Sequence, residues 1–436
     1  MARPAVPRPQ ARPRIADPLG TAARRAALRL LDAVLRRGEA LEVALPHATR
    51  ALPGGPDRGL AHAIVAETLR RLTDLDTLID SATRQRLPDD AKARSALRIA
   101  LVQALALGTP PHAAIATVLP LVDGGPRKLV HGVFGALLRG GATLPDVPAL
   151  PEAVAARWRT YWGEAATTAA AQAIAAPPPI DLTLRDPATT GEWVERLEGT
   201  SLAPGHVRLP GRGTITGLPG YDEGAWWVQD LAASIPARLL GRGPGAALDL
   251  CAAPGGKSLQ LAAAGHHVTA VDISDTRAVR LRENAARTSL PLTVQIADVL
   301  DWSPAVPAAA VLVDAPCSAT GIFRRHPDVL YRAHPGIIAE MATLQARILA
   351  RAADWVAPGG MLVYATCSLE PEEGEEQLAR FLAERSDFTI VPPTPDELPP
   401  GIAPTAAGFV RTMPGTLADA GGCDGFFVAR VRRAFA

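Results

Sequence analysis

The pattern of apolar and polar positions predicts helices in the first part of the chain. In TAARRAALRLLDAVLRRG, which begins at Thr21, apolar residues recur at helical spacing and the arginines take the other face. The apolar face comprises Ala27, Leu28, Leu31, Val34 and Leu35. Gly38 follows as a stop signal. Similar patterns separated by Pro, Gly and Asp predict an all-helical bundle with short loops over residues 21–142.

The pattern then becomes irregular over residues 143–227. Pro-rich stretches bracket helical ones up to about residue 180, which is typical of a linker. Short strand-like pieces, IDLTLR and HVRLP, follow among turns and predict a small α/β module. The stretch AWWVQDLAASIPARLL is predicted to open a helix that leads into the last domain.

From about residue 245 the chain alternates between strand and helix patterns. The predicted strands are AALDLCA, HVTAVDIS, LTVQIAD, AAAVLVDAP and GGMLVYATCS. Apolar strands separated by helices predict a parallel, doubly wound sheet in residues 228–436. Such sheets bind ligands at the carboxyl ends of their strands. Polar residues stand at these ends, namely Asp249, Asp272, Asp298, Asp314 and Cys367.

Composition places the chain among soluble globular proteins. Hydrophobic residues make up 48% and charged residues 20% of the 436 residues, a length that favours two or three domains. No apolar run of about 18 residues occurs, so we expect no membrane span. The first residues, MARPAVPRPQARPRIADPLG, lack the apolar core of a secretory signal, which predicts a cytoplasmic protein.

The formal net charge of +1 conceals a basic N-terminal region. Residues 1–50 carry ten Arg against four acidic residues, and residues 1–20 form an Arg/Pro-rich tail. A basic patch is the usual electrostatic footprint of a nucleic-acid-binding protein. A GC-rich genome that favours Arg and Ala codons explains the tail equally well.

The stretch DLCAAPGGKS ends in the Gly-Lys-Ser of a phosphate-binding loop. That motif requires a Gly five residues before Gly256, where this chain has Cys251, so a P-loop ATPase is the weakest interpretation. The small residues still allow a ligand to approach the backbone closely. Asp272, at the end of the next strand, is placed to accept hydrogen bonds from ribose hydroxyls. Together with several carboxylates, these features favour S-adenosylmethionine (AdoMet), which carries a positive sulfonium.

The four cysteines lie far apart and form no CxxC pair, which predicts neither a metal site nor a disulfide framework. Cys317 and Cys367 each follow an apolar strand. A lone cysteine is usually a small buried hydrophobic residue. Two cysteines at the ligand-binding edge of one sheet favour nucleophilic chemistry instead.

The segments DLCAAPGGKS, VDIS, DAPCSATGIFRRHPD, YATCSLEPEE and DGFFVAR closely resemble the RNA cytosine-C5 methyltransferases. GIFRRHPD favours the bacterial RsmB (Sun) branch, which acts on small-subunit (16S) ribosomal RNA. The helical N-terminal part resembles the RNA-binding domain of the antitermination factor NusB, which this branch carries before its Rossmann-like catalytic domain. The resemblance therefore spans nearly the whole chain.

The resemblance implies specific roles for the residues in these motifs. Cys367 is the nucleophile that adds to cytosine C6, Cys317 assists proton removal and product release, and Asp314 binds the cytosine edge. The cofactor site comprises Cys251, Ala252, Ala253, Pro254, Gly255, Gly256, Lys257, Asp272 at the ribose, Asp298 near the adenine, and Asp314. Ser258 stands where relatives often have Thr, and either residue can cap the helix. Cys423 has no assigned role, and we expect it to be structural.

Several alternatives remain open at this point. Arg324, Arg325 and His326 either contact RNA phosphate, which we favour, or pack the site. The substrate can be transfer RNA or another ribosomal cytosine instead of the family target. In a different class, the chain is an RNA-binding or antitermination factor with a relict methyltransferase fold. We expect a monomer whose partner is ribosomal RNA.

Overall fold

The computed structural model describes residues 17–211 and 213–435. The chain divides into two compact units, the first ending at Pro145 and the second beginning at Asp146. Most of the predicted basic tail, residues 1–16, lies outside the described residues.

The described part of the first unit is helical, as predicted. Its α-helices are α1 (Thr21–Arg37), α2 (Leu41–Thr49), α3 (Gly55–Arg70), α4 (Leu72–Ser81), α5 (Lys92–Leu105), α6 (Pro111–Val118) and α7 (Gly124–Arg139). Helix α1 ends at Gly38, whose φ of 67° gives the left-handed conformation that favours glycine at a helix end. The predicted stop is therefore confirmed.

The predicted separation of apolar and arginine faces on α1 is wrong at one position. Arg24 is buried, and its Nε donates a hydrogen bond to Gln103 Oε1 at 2.7 Å. Its spacing places it on the same helical face as Ala27 and Leu31. A polar partner on α5 offsets part of the cost of burying the guanidinium.

The second unit begins with a long helical segment and a small sheet. Helix α8 (Glu152–Ile174) is interrupted at Gly163, whose φ of 81° is not helical. The small sheet consists of β1 (Asp181–Leu184), β2 (His206–Arg208) and β3 (Trp226–Val228), with α9 (Thr190–Arg196) after β1. The strands are antiparallel in the order β2-β1-β3. The predicted small α/β module is thus present.

Residues 226–228 were predicted to open a helix, and the structure shows a strand instead. Helix α10 (Leu231–Arg238) begins later, where the Asp230 carboxylate accepts a hydrogen bond from the Ala232 N–H. Trp226 is fully buried in the core of the small sheet, so tertiary packing overrides the local helical pattern. The predicted boundary at residue 227 therefore falls within β3.

A larger sheet forms the centre of the second unit. Its strands are β4 (Ala246–Leu250), β5 (His267–Asp272), β6 (Leu292–Ile296), β7 (Ala308–Asp314), β8 (Val356–Thr366), β9 (Phe388–Ile390), β10 (Val410–Thr412) and β11 (Phe426–Arg433). The order is β10-β11-β8-β7-β4-β5-β6, with β9 beside β11. The helices around it are α11 (Gly256–Ala263), α12 (Asp275–Thr288), α13 (Val329–Arg332), α14 (Pro335–Asp354) and α15 (Glu375–Glu384).

Strands β4 to β8 are mutually parallel, as predicted, but the sheet as a whole is mixed. Strand β11 runs antiparallel to β8, and both β9 and β10 pair antiparallel with β11. Between β8 and β11 the chain passes through α15, β9, an irregular segment and β10, and it returns antiparallel beside β8. The strand order reverses between β4 and β7, and a doubly wound sheet opens its ligand crevice at this switch point.

The N-terminal half of α8 packs against the part of the second unit that contains the larger sheet. Trp158 is 1% exposed and shares a hydrophobic cluster with Phe323 and Leu369. Arg157 and the Trp158 indole both donate to the buried Glu370 carboxylate. No helix among the described residues is long and apolar enough to cross a membrane.

Candidate active site

The loop after β4 makes a tight turn that begins at Cys251. Cys251 has φ 62° and Gly255 has φ 106°, and α11 starts at Gly256. Cys251 thus adopts the left-handed conformation despite its Cβ. Burial, followed by the Asp314 charge, raises the pKa of the Cys251 thiol to about 12, which suits an unreactive side chain.

Asp272 anchors this loop from the neighbouring strand. Its Oδ2 accepts the Ala253 N–H at 3.0 Å, and its Oδ1 accepts the Ser274 N–H at 2.8 Å. The guanidinium of Arg277, 56% exposed, also contacts Oδ1 at 2.9 Å. Asp272 is thus buried at the end of β5, where its carboxylate accepts two backbone N–H groups and the half-exposed Arg277 guanidinium.

Asp249 and Ser258 lie beneath the loop. The Ser258 hydroxyl donates to Asp249 Oδ2 at 2.5 Å, while Asp249 Oδ1 has no hydrogen-bond partner among the described residues. Complete burial is the main reason that the pKa of Asp249 rises to about 7. Ser258 does not cap α11, which begins at Gly256 after the N-cap residue Gly255 and has no side-chain cap. The Ser258 hydroxyl instead donates to the buried Asp249 carboxyl, because a buried carboxyl without a hydrogen-bond donor would cost free energy.

Lys257 and Asp314 form an ion pair at the mouth of the crevice. Lys257 Nζ lies 2.7 Å from Asp314 Oδ2, and their side chains are 11% and 28% exposed. Burial opposes the charge on Lys257, but the Asp314 carboxylate outweighs it and raises the pKa of the ammonium. The ammonium also lies 5.4 Å from the centre of the Phe426 ring. Lys257 therefore carries a fixed positive charge directly beside Asp314.

The two cysteines predicted to act together do meet in the structure. Cys317 Sγ and Cys367 Sγ are 3.5 Å apart, although 50 residues separate them in the chain. The contact with Cys367, burial and the nearby Glu373 charge raise the pKa of Cys317 well above its usual value. Cys317 is therefore a thiol at neutral pH and can donate its S–H to Cys367.

A cavity of about 570 Å³ opens at this edge of the sheet. Ala252, Pro254, Gly256, Lys257, Asp314 and Cys367 line one side. Trp227 on β3 and Tyr221 in the segment before β3 also line the cavity. Asp272 and Asp298, which were predicted to lie at the ribose and near the adenine, do not line this cavity. The Asp298 carboxylate accepts a hydrogen bond from the Leu300 N–H, with Oδ1 and N 2.9 Å apart.

The three residues predicted to contact RNA have different surroundings. Arg325 donates to Asp424, Asp230 and the Pro179 carbonyl, and these carboxylates outweigh burial and raise its pKa. Arg324 is 6% exposed and donates to the Gly421 carbonyl. His326 and Arg325 both line the cavity. Arg325 is thus held in the wall of the site, and RNA contact by this group stays a prediction.

Sequence reasoning missed the groups that hold these side chains. Glu373, Gln345, Ser318 and Ser368 form a buried hydrogen-bond network behind the two cysteines. The only available signal was the position of Ser318 and Ser368, each directly after a cysteine. Cys423 is 2% exposed, and burial raises the pKa of its thiol, as expected for a structural residue.

The residues around the loop after β4 fit AdoMet. The cofactor carries positive charges on its sulfonium and amino group, and its ribose presents hydroxyl donors. Asp314 lines the cavity and offers a carboxylate acceptor, and the small side chains of the loop leave its backbone accessible. No group of three or more potential metal ligands is found in residues 17–211 and 213–435.

Comparison with known proteins identifies the family. Residues 242–432 match the family model described as 16S rRNA methyltransferase RsmB/F, and residues 21–139 match the NusB family. Ribosomal RNA small subunit methyltransferase B of Xanthomonas campestris is 33% identical, covering 95% of this chain and 98% of its own length. The chain belongs to the RsmB/F family. The resemblance seen in the sequence motifs is thereby confirmed.

Solved structures agree with this RsmB/F assignment. The structure of PH0851 superposes with a TM-score of 0.73 at 21% identity, covering 96% of this chain and all of its own. NSun6 from Pyrococcus horikoshii, solved with the AdoMet analogue SFG, has a TM-score of 0.55 at 16% identity, covering 66% of this chain and 99% of its own. These structures share the fold, and the RsmB/F and NusB matches make the protein an AdoMet-dependent methyltransferase with a NusB-like N-terminal unit. The P-loop ATPase interpretation is excluded.

Proposed function

We propose that this RsmB/F protein methylates C5 of a cytosine in small-subunit ribosomal RNA through a covalent bond between Cys367 and C6. The observation that carries the proposal is the 3.5 Å separation of the Cys317 and Cys367 sulfurs beside Asp314. One thiol attacks the ring, and a second must help to release it. The name of the Xanthomonas relative supports ribosomal RNA as the substrate.

The chemistry follows from the weak nucleophilicity of cytosine C5. Bound AdoMet supplies an electrophilic methyl group. The Cys367 thiolate adds to C6, and the ring then carries enamine-like electron density at C5. C5 would take the methyl group as the sulfonium–methyl bond breaks, which would leave S-adenosylhomocysteine. Asp314 accepts a hydrogen bond from the cytosine edge and stabilises the charge that develops there. The target base must first leave its stack, which costs a few kcal/mol.

Release requires that the C5 proton leave and the C6–S bond break. Before attack, the Cys317 thiol donates to Cys367. Once Cys367 is bonded to carbon, its sulfur is no longer a thiolate, so the main interaction that raises the pKa of Cys317 is lost. Cys317 can then lose its proton to solvent and, as a thiolate, accept the C5 proton, while the electron pair of the C5–H bond expels the Cys367 thiolate.

The remaining predicted site residues are assigned to the cofactor and RNA. The loop from Cys251 to Lys257, with Asp272 and Asp298, holds AdoMet. Arg324, Arg325 and His326, together with the NusB-like unit and the basic tail, are proposed to guide the RNA. We further propose that the protein acts as a monomer in the cytoplasm, and light scattering of the purified protein tests the monomer.

Two substitutions test the nucleophile and the release step. Cys367→Ser is expected to abolish transfer of labelled methyl from AdoMet to unmodified small-subunit RNA. Cys317→Ala is expected to accumulate a protein–RNA adduct that survives a denaturing gel. Cys423→Ala is the matched control, with normal turnover and no adduct. Full activity of Cys367→Ser would refute the nucleophile.

Bisulfite mapping in a strain that lacks the gene tests the substrate. One cytosine of the small-subunit RNA is expected to lose its methyl group while transfer RNA is unchanged. Loss in transfer RNA instead would favour the same chemistry on the alternative substrate. An unchanged map in both RNAs would favour the RNA-binding factor.

A further inference from the structure

The side chain of Glu373 lies behind both cysteine loops. It is fully buried in the short 3₁₀ turn Pro371–Glu373 that precedes α15, and it is the last residue of the YATCSLEPEE segment. Its Oε1 accepts the Ser318 N–H at 2.8 Å and Gln345 Nε2 at 3.2 Å. Its Oε2 accepts the hydroxyls of Ser318 and Ser368. One carboxylate therefore receives four hydrogen bonds.

These four donors connect the two loops that carry the thiols. Ser318 directly follows Cys317, and Ser368 directly follows Cys367. Gln345, on α14, donates from the same nitrogen to the Pro316 carbonyl at 2.9 Å, immediately before Cys317. The Ser318 and Ser368 hydroxyls also lie 3.2 Å from each other. Glu373 is thus the shared acceptor through which the loop at 316–318 and the loop at 366–368 are tied.

We propose that Glu373 is a positioning residue that holds the Cys317 and Cys367 thiols at the separation needed for attack and release. The inference rests on the proposed function of the two cysteines. No other acidic side chain among the described residues bonds to both loops. Without this acceptor, two buried hydroxyls and a buried backbone N–H lose their partner, and the loops are free to separate.

The charge of Glu373 also distinguishes the two thiols. Contact with Cys367 and burial raise the pKa of Cys317, and the Glu373 carboxylate raises it further. Burial raises the pKa of Glu373 itself, while the Ser318 and Ser368 donors favour its charged form. Glu373 therefore helps to keep Cys317 protonated until Cys367 has reacted.

The separation of the sulfurs can be measured without methyl transfer. Diamide removes one hydrogen from each of two neighbouring thiols and joins them as a disulfide. Its rate is divided by the rate at which iodoacetamide alkylates the same thiols, which corrects for differences in thiol ionisation, so the ratio reports how closely the sulfurs approach. Glu373→Ala and Glu373→Gln are compared with Glu376→Gln, a control on the exposed side of α15. The product is read by mass spectrometry after alkylation of the remaining thiols.

We expect Glu373→Ala to form the Cys317–Cys367 disulfide at least about tenfold more slowly than the wild type, a change of about 1.4 kcal/mol in the barrier. Glu373→Gln retains an acceptor for the Ser318 N–H but loses the charge, so we expect an intermediate rate. Glu376→Gln is expected to react like the wild type. If Glu373→Ala does not fold, the test is whether Glu373→Gln forms the disulfide more slowly than Glu376→Gln.

The second measurement follows the adduct with RNA. We expect both Glu373 variants to accumulate the covalent complex as Cys317→Ala does, with kcat lowered and KM for RNA little changed. Wild-type disulfide rates in both variants, with no adduct, would overturn the positioning role. An absence of adduct in every variant, Cys317→Ala included, would instead overturn the proposed function, because the disulfide rates do not depend on it.

Discussion

Replacement of Asp314 by asparagine removes one charge from the centre of the site and keeps the shape of the side chain. In the wild type, Asp314 Oδ2 lies 2.7 Å from Lys257 Nζ. Asparagine still presents a carbonyl oxygen, but the Lys257 ammonium loses its carboxylate partner. Since that ammonium is only 11% exposed, water replaces the carboxylate poorly.

The expected magnitude follows from this partial burial. Removal of one member of a fully buried pair costs about 3–5 kcal/mol, and an exposed pair contributes about 0–1 kcal/mol. With Asp314 28% exposed, we expect the free energy of unfolding to fall by an intermediate amount, about 1–3 kcal/mol. The loss of a group that stabilises developing charge is expected to lower kcat by about 10²–10³-fold.

Urea unfolding and single-turnover methylation measure the two effects. A double-mutant cycle with Lys257→Met measures the interaction free energy between Lys257 and Asp314. In the double variant both charges are removed, so no buried charge is left without a partner. We expect the double variant to be more stable than the sum of the single effects by about 1–2 kcal/mol. Asp275→Asn, in an exposed ion pair with Arg282, is the matched control and should change stability by less than about 1 kcal/mol.

Strict additivity in this cycle would show that the Lys257–Asp314 contact does not contribute to stability. An unchanged kcat for Asp314→Asn, with the protein folded, would show that the carboxylate does not stabilise the reacting base. Either result contradicts the role given to Asp314, and the two measurements are independent of each other.

Two further predictions concern groups outside the reaction itself. Arg157→Ala leaves the buried Glu370 without its guanidinium partner and should lower the free energy of unfolding by about 3–5 kcal/mol. Arg159→Ala, which removes an exposed ion pair, is the control and should change it by less than about 1 kcal/mol. Thermal unfolding measures both effects. Burial raises the pKa of Asp249 from 3.8 to about 7, so this group binds more protons in the folded state and lowers stability as pH rises between these values. Asp249→Asn should therefore lose less stability than the wild type between pH 4 and pH 7 in urea titrations, and identical pH profiles would contradict the raised pKa.

The strand–helix pattern predicted the parallel core of the sheet because its strands are buried on both faces. Such strands read as apolar runs, and their carboxyl ends necessarily meet at one edge. Cys317 and Cys367 could therefore be placed together before any coordinates were known. The antiparallel edge could not be predicted in the same way, because β10 and β11 follow an irregular segment with no regular period.

The network around Glu373 shows why the supporting residues escaped the sequence analysis. Ser318 lies 55 residues from Glu373, and Gln345 lies 28 residues from it. A hydrogen bond of this kind leaves no periodic signal in the sequence. Arg24 is a similar case, since its burial depends on Gln103, 79 residues away. Sequence patterns predict which face is apolar, but they do not predict which polar groups find partners inside.

The cofactor loop lacks the first glycine of the phosphate-loop motif but keeps a left-handed backbone conformation at that position. Cys251 occupies the position of a phosphate-loop glycine and takes the left-handed conformation, which costs a non-glycine residue about 1–3 kcal/mol. Hydrogen bonds from Ala252 N–H to the Val271 carbonyl and from Ala253 N–H to Asp272 offset this cost. The turn is therefore shaped by strand β5 and its terminal carboxylate. Asp272 is then both the anchor of the loop and the proposed ribose acceptor, so its substitution is expected to disturb the loop as well as the cofactor contact.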